Sequence, residues 1–180
     1  MADELVDVCD ENNNLTGIQK FKSEAHKAGL WHRAAHIWIY NPKGDILLQL
    51  RAKDKELHPD MWDISAAGHV RAGEEPIISG LREIEEEIGL KVKKEELEFF
   101  RIQKYRSTFR NLKNNEFHYI YFFKFNGDVR TLSMQDGEVQ SIRFLSLDKI
   151  EDELRTRPER YVPHGGYWTE VINEIRKRSK

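Results

Sequence analysis

One segment limits what this chain can become more than any other. It runs Gly68-His-Val-Arg-Ala-Gly-Glu74 and continues to Arg82-Glu-Ile-Glu-Glu-Glu-Ile-Gly-Leu90. It reads as a loop that turns into a short helix. A helix advances about 100° per residue, so Glu83, Glu86 and Glu87, at i, i+3 and i+4, share one face. Ile77, Leu81, Ile84 and Ile88 form a second stripe rotated from the glutamates by roughly 100–140°. That stripe can dock the helix on a sheet while the carboxylates look elsewhere. Gly73 supplies a turn before the helix, Pro76 is tolerated in its first turn, and Gly89 stands where a left-handed C-cap belongs.

Like charges three and four residues apart repel by about 0.2–0.5 kcal/mol per exposed pair. A hard divalent cation reverses the sign of that interaction, because Mg²⁺ takes carboxylates together with water and phosphate oxygens. Glu83, Glu86 and Glu87 are therefore candidate ligands for Mg²⁺ or Mn²⁺, with the Gly68 carbonyl as a further one. Arg82 faces a third direction and can pair with Glu74 or Glu75, locking loop to helix. The plain alternative is a solvated acidic helix.

Gly68, five residues, Glu74, seven residues, Arg82-Glu83, an aliphatic, any residue, Glu86-Glu87, any residue, Gly89, an aliphatic: at every fixed position this resembles the signature of the Nudix hydrolases. The box spans residues 68–90. Its flanks, Tyr40-Asn-Pro-Lys-Gly-Asp-Ile-Leu-Leu-Gln49 and Pro59-Asp-Met-Trp-Asp-Ile-Ser-Ala-Ala-Gly-His-Val70, are similar to the branch that includes isopentenyl-diphosphate isomerase. The resemblance implies an α+β fold, an α/β/α sandwich with a mixed central sheet and the box as loop–helix–loop. It also implies metal-assisted attack of water on a diphosphate linkage.

The hairpin and helix signals fit that expectation. Residues 4–9 and 15–21 read as a hairpin across a polar loop, and residues 23–28 as a short helix stopped by Gly29. Residues 33–40 and 45–51 read as a second hairpin across the turn at 41–44. A short strand falls within 61–70, and a charged loop at 91–96 follows the box helix. Residues 97–107 and 116–125 read as paired strands joined through 110–115, and 139–145 as the last strand. Helices follow at 146–155, with Ser146 as N-cap, and at 168–178. At 180 residues, with no repeat or low-complexity linker, a single domain over 1–180 is expected.

The histidines are the second informative set. In isomerases of the similar branch a metal is held by histidines before the first core strand, by the histidine after the box glycine and by glutamates on a later strand. His69 falls on the box position. His32 matches a place six residues before Trp38, and His26 lies near the other position, about one residue out of step. Glu116 matches one strand glutamate, but its companion position is Asn114. Histidine with carboxylate suits Zn²⁺ or Mn²⁺, which makes a second metal site at His32, His69 and Glu116 an expectation. Ala67 is the departure. The resemblance places an essential cysteine there, and Cys9 lies in a different segment. Allylic proton transfer needs an acid and a base on opposed faces. Alanine is neither, so double-bond isomerisation is set aside.

Hydrolysis remains. The resemblance implies, as candidate catalytic residues, Glu83 and Glu86 of the box and Glu138, a loop glutamate before the last strand. Arg51 and Lys53 are candidate phosphate contacts or plain solvated charges. Trp31, Trp38, Trp62, Tyr105 and Phe109 are either a stacking wall or core. Lys104, Arg106 and Arg110 form a basic strand edge. The segment around Trp168 is a candidate cover for the site or a homodimer contact.

A formal net charge of −2 with mixed signs argues against a nucleic-acid surface. The single cysteine fits a reducing compartment, and no apolar run approaches a membrane span. With an acidic, polar start carrying no leader signal, a cytoplasmic location is expected. The reading is a hydrolase of a nucleoside-diphosphate derivative or related small diphosphate. Its alternative is a catalytically silent diphosphate-binding or regulatory module.

Overall fold

The computed structural model describes residues 3–55, 57–109 and 112–180, with Phe109 described by its backbone alone. Arg110, and the side chain of Phe109, lie outside the described residues.

The chain opens with an antiparallel hairpin, β1 (Leu5–Cys9) and β2 (Leu15–Phe21), in register from Leu5↔Phe21. Helix α1 (Lys22–Ala28) follows and stops at Gly29. Strands β3 (His32–Tyr40), β4 (Ile46–Arg51), β5 (Trp62–Asp63) and β6 (Ala66–His69) lead into α2 (Pro76–Ile88). Long strands β7 (Glu98–Phe109) and β8 (Leu112–Lys124) come next, then β9 (Val139–Leu145), α3 (Leu147–Thr156) and α4 (Gly166–Arg178). The seven-stranded sheet has the path β5-β4-β3-β8-β7, with β6 added on β3 and β9 on β4. It is mixed: β3 and β8 run parallel from His32↔Glu116 to Tyr40↔Lys124, and the other pairs are antiparallel. This is the α+β layering with a mixed central sheet that the resemblance implies.

Both faces of the sheet are covered, which is why β3 reads as a nearly continuous apolar run and not as an alternation. Ile37 and Ile39 pack with Ile84 and Ile88 of α2 on one face. Trp38 and Tyr40 pack with Trp168, Val171, Ile172 and Ile175 of α4 on the other. Trp31, Trp38 and Trp62 are all core residues. Trp168 belongs to the same core, edge-on to Trp38, with its indole N–H donated to the Val162 carbonyl.

Four details depart from the sequence reading. The second hairpin opens after one registered pair, Tyr40↔Ile46. Beyond it Ser65 stands between the strands; its hydroxyl accepts from the Ile39 N–H at 2.8 Å and donates to the Leu47 carbonyl at 2.5 Å. A side chain so replaces ladder bonds that buried backbone groups would otherwise lose. The 61–70 stretch holds two short strands instead of one. The β7–β8 ladder runs on to Phe109↔Leu112, well past the loop expected at 110–115. Ser146 is the N-cap residue of α3 but makes no side-chain capping bond.

Candidate functional site

Strand β6 positions the site, because consecutive side chains on a strand leave on opposite faces. Gly68 and His69 are consecutive. Gly68 faces α2, where an added Cβ would stand 2.1–2.6 Å from the Glu83 carboxylate atoms. Only glycine lets that carboxylate lie against the strand. His69 faces the other way and meets β8.

On the α2 side, Glu83 and Glu87 are buried while Glu86 is exposed. Arg82 stands among the acids: its Nη1 is 2.5 Å from Glu83 Oε1 and 3.3 Å from Glu86 Oε2. Its Nη2 donates at 3.2 Å both to Glu74 Oε2 and to the His69 carbonyl. The lock between loop and helix therefore forms through Glu74, whereas Glu75 pairs with Lys94. Glu87 Oε2 accepts from Gln49 Nε2 at 3.0 Å and from the Ala67 N–H at 3.2 Å. Burial, with the Glu83 charge adding to it, pushes the Glu87 carboxyl up to about 8. Burial also lifts Glu83, against the pull of Arg82. Gly89 ends the helix in the left-handed region at φ 67°, as its position in the sequence requires.

The loop before β9 hangs on the end of α2, with the Gln135 N–H donating to the Glu87 carbonyl at 3.0 Å. It carries Glu138, which is buried and ion-paired with Lys55. Burial pulls the Lys55 ammonium below its ordinary range, Arg51 adds to this, and the Glu87 and Glu83 charges oppose it. Lys55, not singled out by sequence, is thus the cation in this part of the site. Lys53 is exposed. Arg51 is committed elsewhere: it donates to the Leu57 carbonyl at 3.0 Å and to Asp63 Oδ2 at 3.0 Å.

On the opposite face, among the described residues, one group of potential ligands converges: His26, His32, His69 and Glu116, with ligand atoms within 4.8 Å of one another. The parallel register sets His32 beside Glu116. Glu116 Oε1 lies 3.3 Å from His32 Nε2 and 3.1 Å from His69 Nε2. Nε2 of His26, His32 and His69 are all buried without a hydrogen-bond partner. His32 Nδ1 lies 3.0 Å from the Leu30 carbonyl. A carbonyl only accepts, so Nδ1 carries a proton and Nε2 is the nitrogen turned toward the cluster. Burial brings His26 down to about 4, helped by its histidine neighbours, and lowers His69 as well. Burial would raise Glu116, but contacts from His118, His32 and His69 outweigh it and hold the carboxyl well below its ordinary value. Three imidazoles around a carboxylate are the donor set of a borderline divalent cation, so these residues fit a metal. His26 completes the group that the sequence left at His32, His69 and Glu116; it sits in the last turn of α1, where spacing against a strand loses its meaning.

The basic edge has local partners. Lys104 Nζ is 4.5 Å from the Trp31 ring centroid and Arg106 Cζ 5.1 Å, and both approach Glu11. Tyr105 lies against the His118 ring. Cys9, the single cysteine, is buried with Trp31 and Phe117.

A family model described as the NUDIX domain matches residues 30–165, and the chain belongs to that family. Nudix hydrolase 3 of Arabidopsis thaliana is 34% identical over 185 residues, covering 99% of this chain but 24% of that protein, so the chain spans about a quarter of that relative's length. Isopentenyl-diphosphate Delta-isomerase of Serratia proteamaculans is 30% identical, over 88% of this chain and 86% of that protein. The crystal structure of DR0079 from Deinococcus radiodurans superposes with a TM-score of 0.70 at 17% identity, over 96% of this chain and 99% of that one, and shows the shared fold. Family, fold and the His/Glu cluster are together consistent with metal-assisted hydrolysis of a diphosphate. No helix among the described residues is long and apolar enough to cross a membrane.

Proposed function

We propose that this chain is a metal-dependent diphosphohydrolase acting on a nucleoside-diphosphate derivative or a related small diphosphate. The observation that carries the reading is the pair of acidic and histidine groups on the two faces of β6, one residue apart at Gly68 and His69. Glu83, Glu86 and Glu87, with the Gly68 carbonyl, would hold Mg²⁺ or Mn²⁺ at the box. His26, His32, His69 and Glu116 would hold a second ion, Zn²⁺ or Mn²⁺. Such ions supply neutralisation of phosphate oxygens and an acidified water.

The chain's own groups do the rest. Lys55, poised between Glu138 and the box acids, offers a positive charge to a phosphate. Departure of Lys55 toward substrate leaves Glu138 free to accept a proton from water, and Glu83 and Glu86 are the other candidate bases. Arg51 contributes by holding the 57–58 backbone and Asp63, and Lys53 by charge at the rim. Arg82 fixes the loop against the helix so that Glu83 stays over Gly68. Residues 1–180 are read as one domain, and the location as cytoplasmic.

The test is a screen of nucleotide sugars, dinucleotides, coenzyme A and prenyl diphosphates with Mg²⁺ or Mn²⁺, followed by mass spectrometry of products. Cleavage at a P–O–P linkage that Glu87→Gln abolishes is the expected result. Binding without cleavage of any member would replace the hydrolase by a silent diphosphate-binding module. Deuterium entering isopentenyl diphosphate would reverse the argument from Ala67.

A further inference from the structure

His118 is not among the four converging ligands, yet it is tied to one of them. Residues 116 and 118 leave β8 on the same face. Its Nε2 is 2.7 Å from Glu116 Oε2, the oxygen turned away from His32 and His69. An ionised carboxylate only accepts, so His118 carries its proton on Nε2. Its Nδ1 is left buried without a partner. The ring is fixed on both sides. His36 stacks on it with centroids 3.8 Å apart, and Tyr105 lies at 4.9 Å. Ala34, its registered neighbour on β3, is small enough to leave room for the stack. His36 is anchored in turn: its Nδ1 is 3.3 Å from the Tyr167 hydroxyl, which accepts the Trp38 indole N–H at 2.7 Å. A buried column therefore runs from α4 to Glu116.

We infer that His118 is a positioning residue for a metal bound by His26, His32, His69 and Glu116: by holding Glu116 Oε2 it commits Oε1, and only Oε1, to the ion. The inference rests on the proposed metal site. Without the N–H donor the Glu116 carboxylate is free to rotate about its terminal bond. Its two oxygens then become equivalent toward the ion, and the site loses both affinity and a single geometry. Groups of this kind, one bond behind a ligand, change metal affinity by about 10–100-fold when removed.

Two substitutions separate hydrogen bonding from packing. His118→Phe keeps a ring in the stack and removes the donor. His118→Gln removes the ring and places an amide N–H near the same point. Zn²⁺ affinity is measured by competition titration, and site geometry by the visible absorption of the Co²⁺-loaded protein. His118→Phe is expected to bind Zn²⁺ about 10–100-fold more weakly, with a shifted and broadened Co²⁺ band. His118→Gln is expected to bind within about three-fold of the unsubstituted protein, with its band restored, since it keeps the donor. Equal affinity and an unchanged band in His118→Phe overturn the positioning role. So does equal loss in both variants, which marks a packing role alone. Should His118→Phe not fold, nitrogen-15 histidine spectra of the unsubstituted protein decide: a proton on Nδ1 of His118 overturns the inference, and one on Nε2 upholds it. His32→Ala is the control for the site itself. If it binds Zn²⁺ as the unsubstituted protein does, the cluster is not the metal site and both readings fall, an outcome distinct from failure of His118 alone.

Discussion

Replacing Glu87 by glutamine should stabilise the ion-free protein, and the gain should depend on pH in a way that singles out this carboxyl. In the fold the group holds its proton up to about pH 8, whereas its ordinary value is 4.5. Below pH 4.5 folded and unfolded chains are both protonated there, and the group contributes no difference. Between 4.5 and 8 the unfolded chain has released the proton and the folded chain has not, so stability falls as pH rises. At about 1.4 kcal/mol per pH unit, the loss reaches about 3 kcal/mol at pH 7 and about 5 kcal/mol above pH 8. Glutamine keeps the shape and an oxygen that can accept from Gln49 and the Ala67 N–H, but it has no proton to lose. The variant should thus gain about 3 kcal/mol at pH 7, roughly 6–12 °C in Tm for a chain of this size. The gain should vanish near pH 4.5. Calorimetric scans in chelator from pH 4.5 to 8 measure it as a difference curve, which cancels the titrating groups that do not face Glu87; Glu83 and Lys55 do face it. Mg²⁺ should shrink the difference, since a cation stabilises the ionised carboxylate in the parent and not the amide. A flat difference curve, or a variant less stable at every pH, would refute the claim that burial holds this proton.

Four other outcomes follow from the same geometry. Gly68→Ala drives a methyl group into the Glu83 carboxylate; circular dichroism should show a folded protein, with the proposed diphosphatase activity reduced at least about 100-fold because a proposed ligand is displaced. Arg82→Ala removes the shared partner of Glu74, Glu83 and the His69 carbonyl and should lower stability by about 2–4 kcal/mol in urea titration, with Arg82→Lys intermediate because it lacks the fork. Zn²⁺ at one hundred times its dissociation constant should add about 2.7 kcal/mol of stability, an effect absent in His32→Ala and retained in Glu86→Gln. His26, lowered to about 4, makes ion-free stability fall as pH drops from 6.5 toward 4, opposite in sign to Glu87 and testable in His26→Gln by the same scans.

What was legible in the sequence was whatever depends on short periods. The box helix, its stop at Gly89, the opening hairpin and the helix ending at Gly29 rest on local spacing and on residues with special backbone freedom, and they stand where the pattern puts them. Strand partners are another matter. The opening of β3 from β4 depends on Ser65, some twenty residues away in the chain, offering its hydroxyl to both, and no local pattern announces that. The site divides the same way. His69, His32 and Glu116 came from matched positions, but His26 needed the turn geometry of α1, and Lys55 needed the fold of the loop that brings it to Glu138. His118 was within reach: Glu116-x-His118 on a strand guarantees a shared face.

A single peptide of β6 separates the two donor groups, and this links the two proposed metal sites. Gly68 and His69 cannot move independently, so any shift of the strand that tightens Glu83 against the box changes the approach of His69 to Glu116. Arg82 strengthens this link, since it holds Glu83 and the His69 carbonyl at once. Occupation of one group should therefore alter affinity at the other, and linkage requires the effect to be equal in both directions. Zn²⁺ titrations with and without saturating Mg²⁺, set beside Mg²⁺ titrations with and without Zn²⁺, must return the same factor. Loss of that coupling in Arg82→Ala, with each ion still bound, would assign it to the guanidinium; coupling that persists would assign it to the strand.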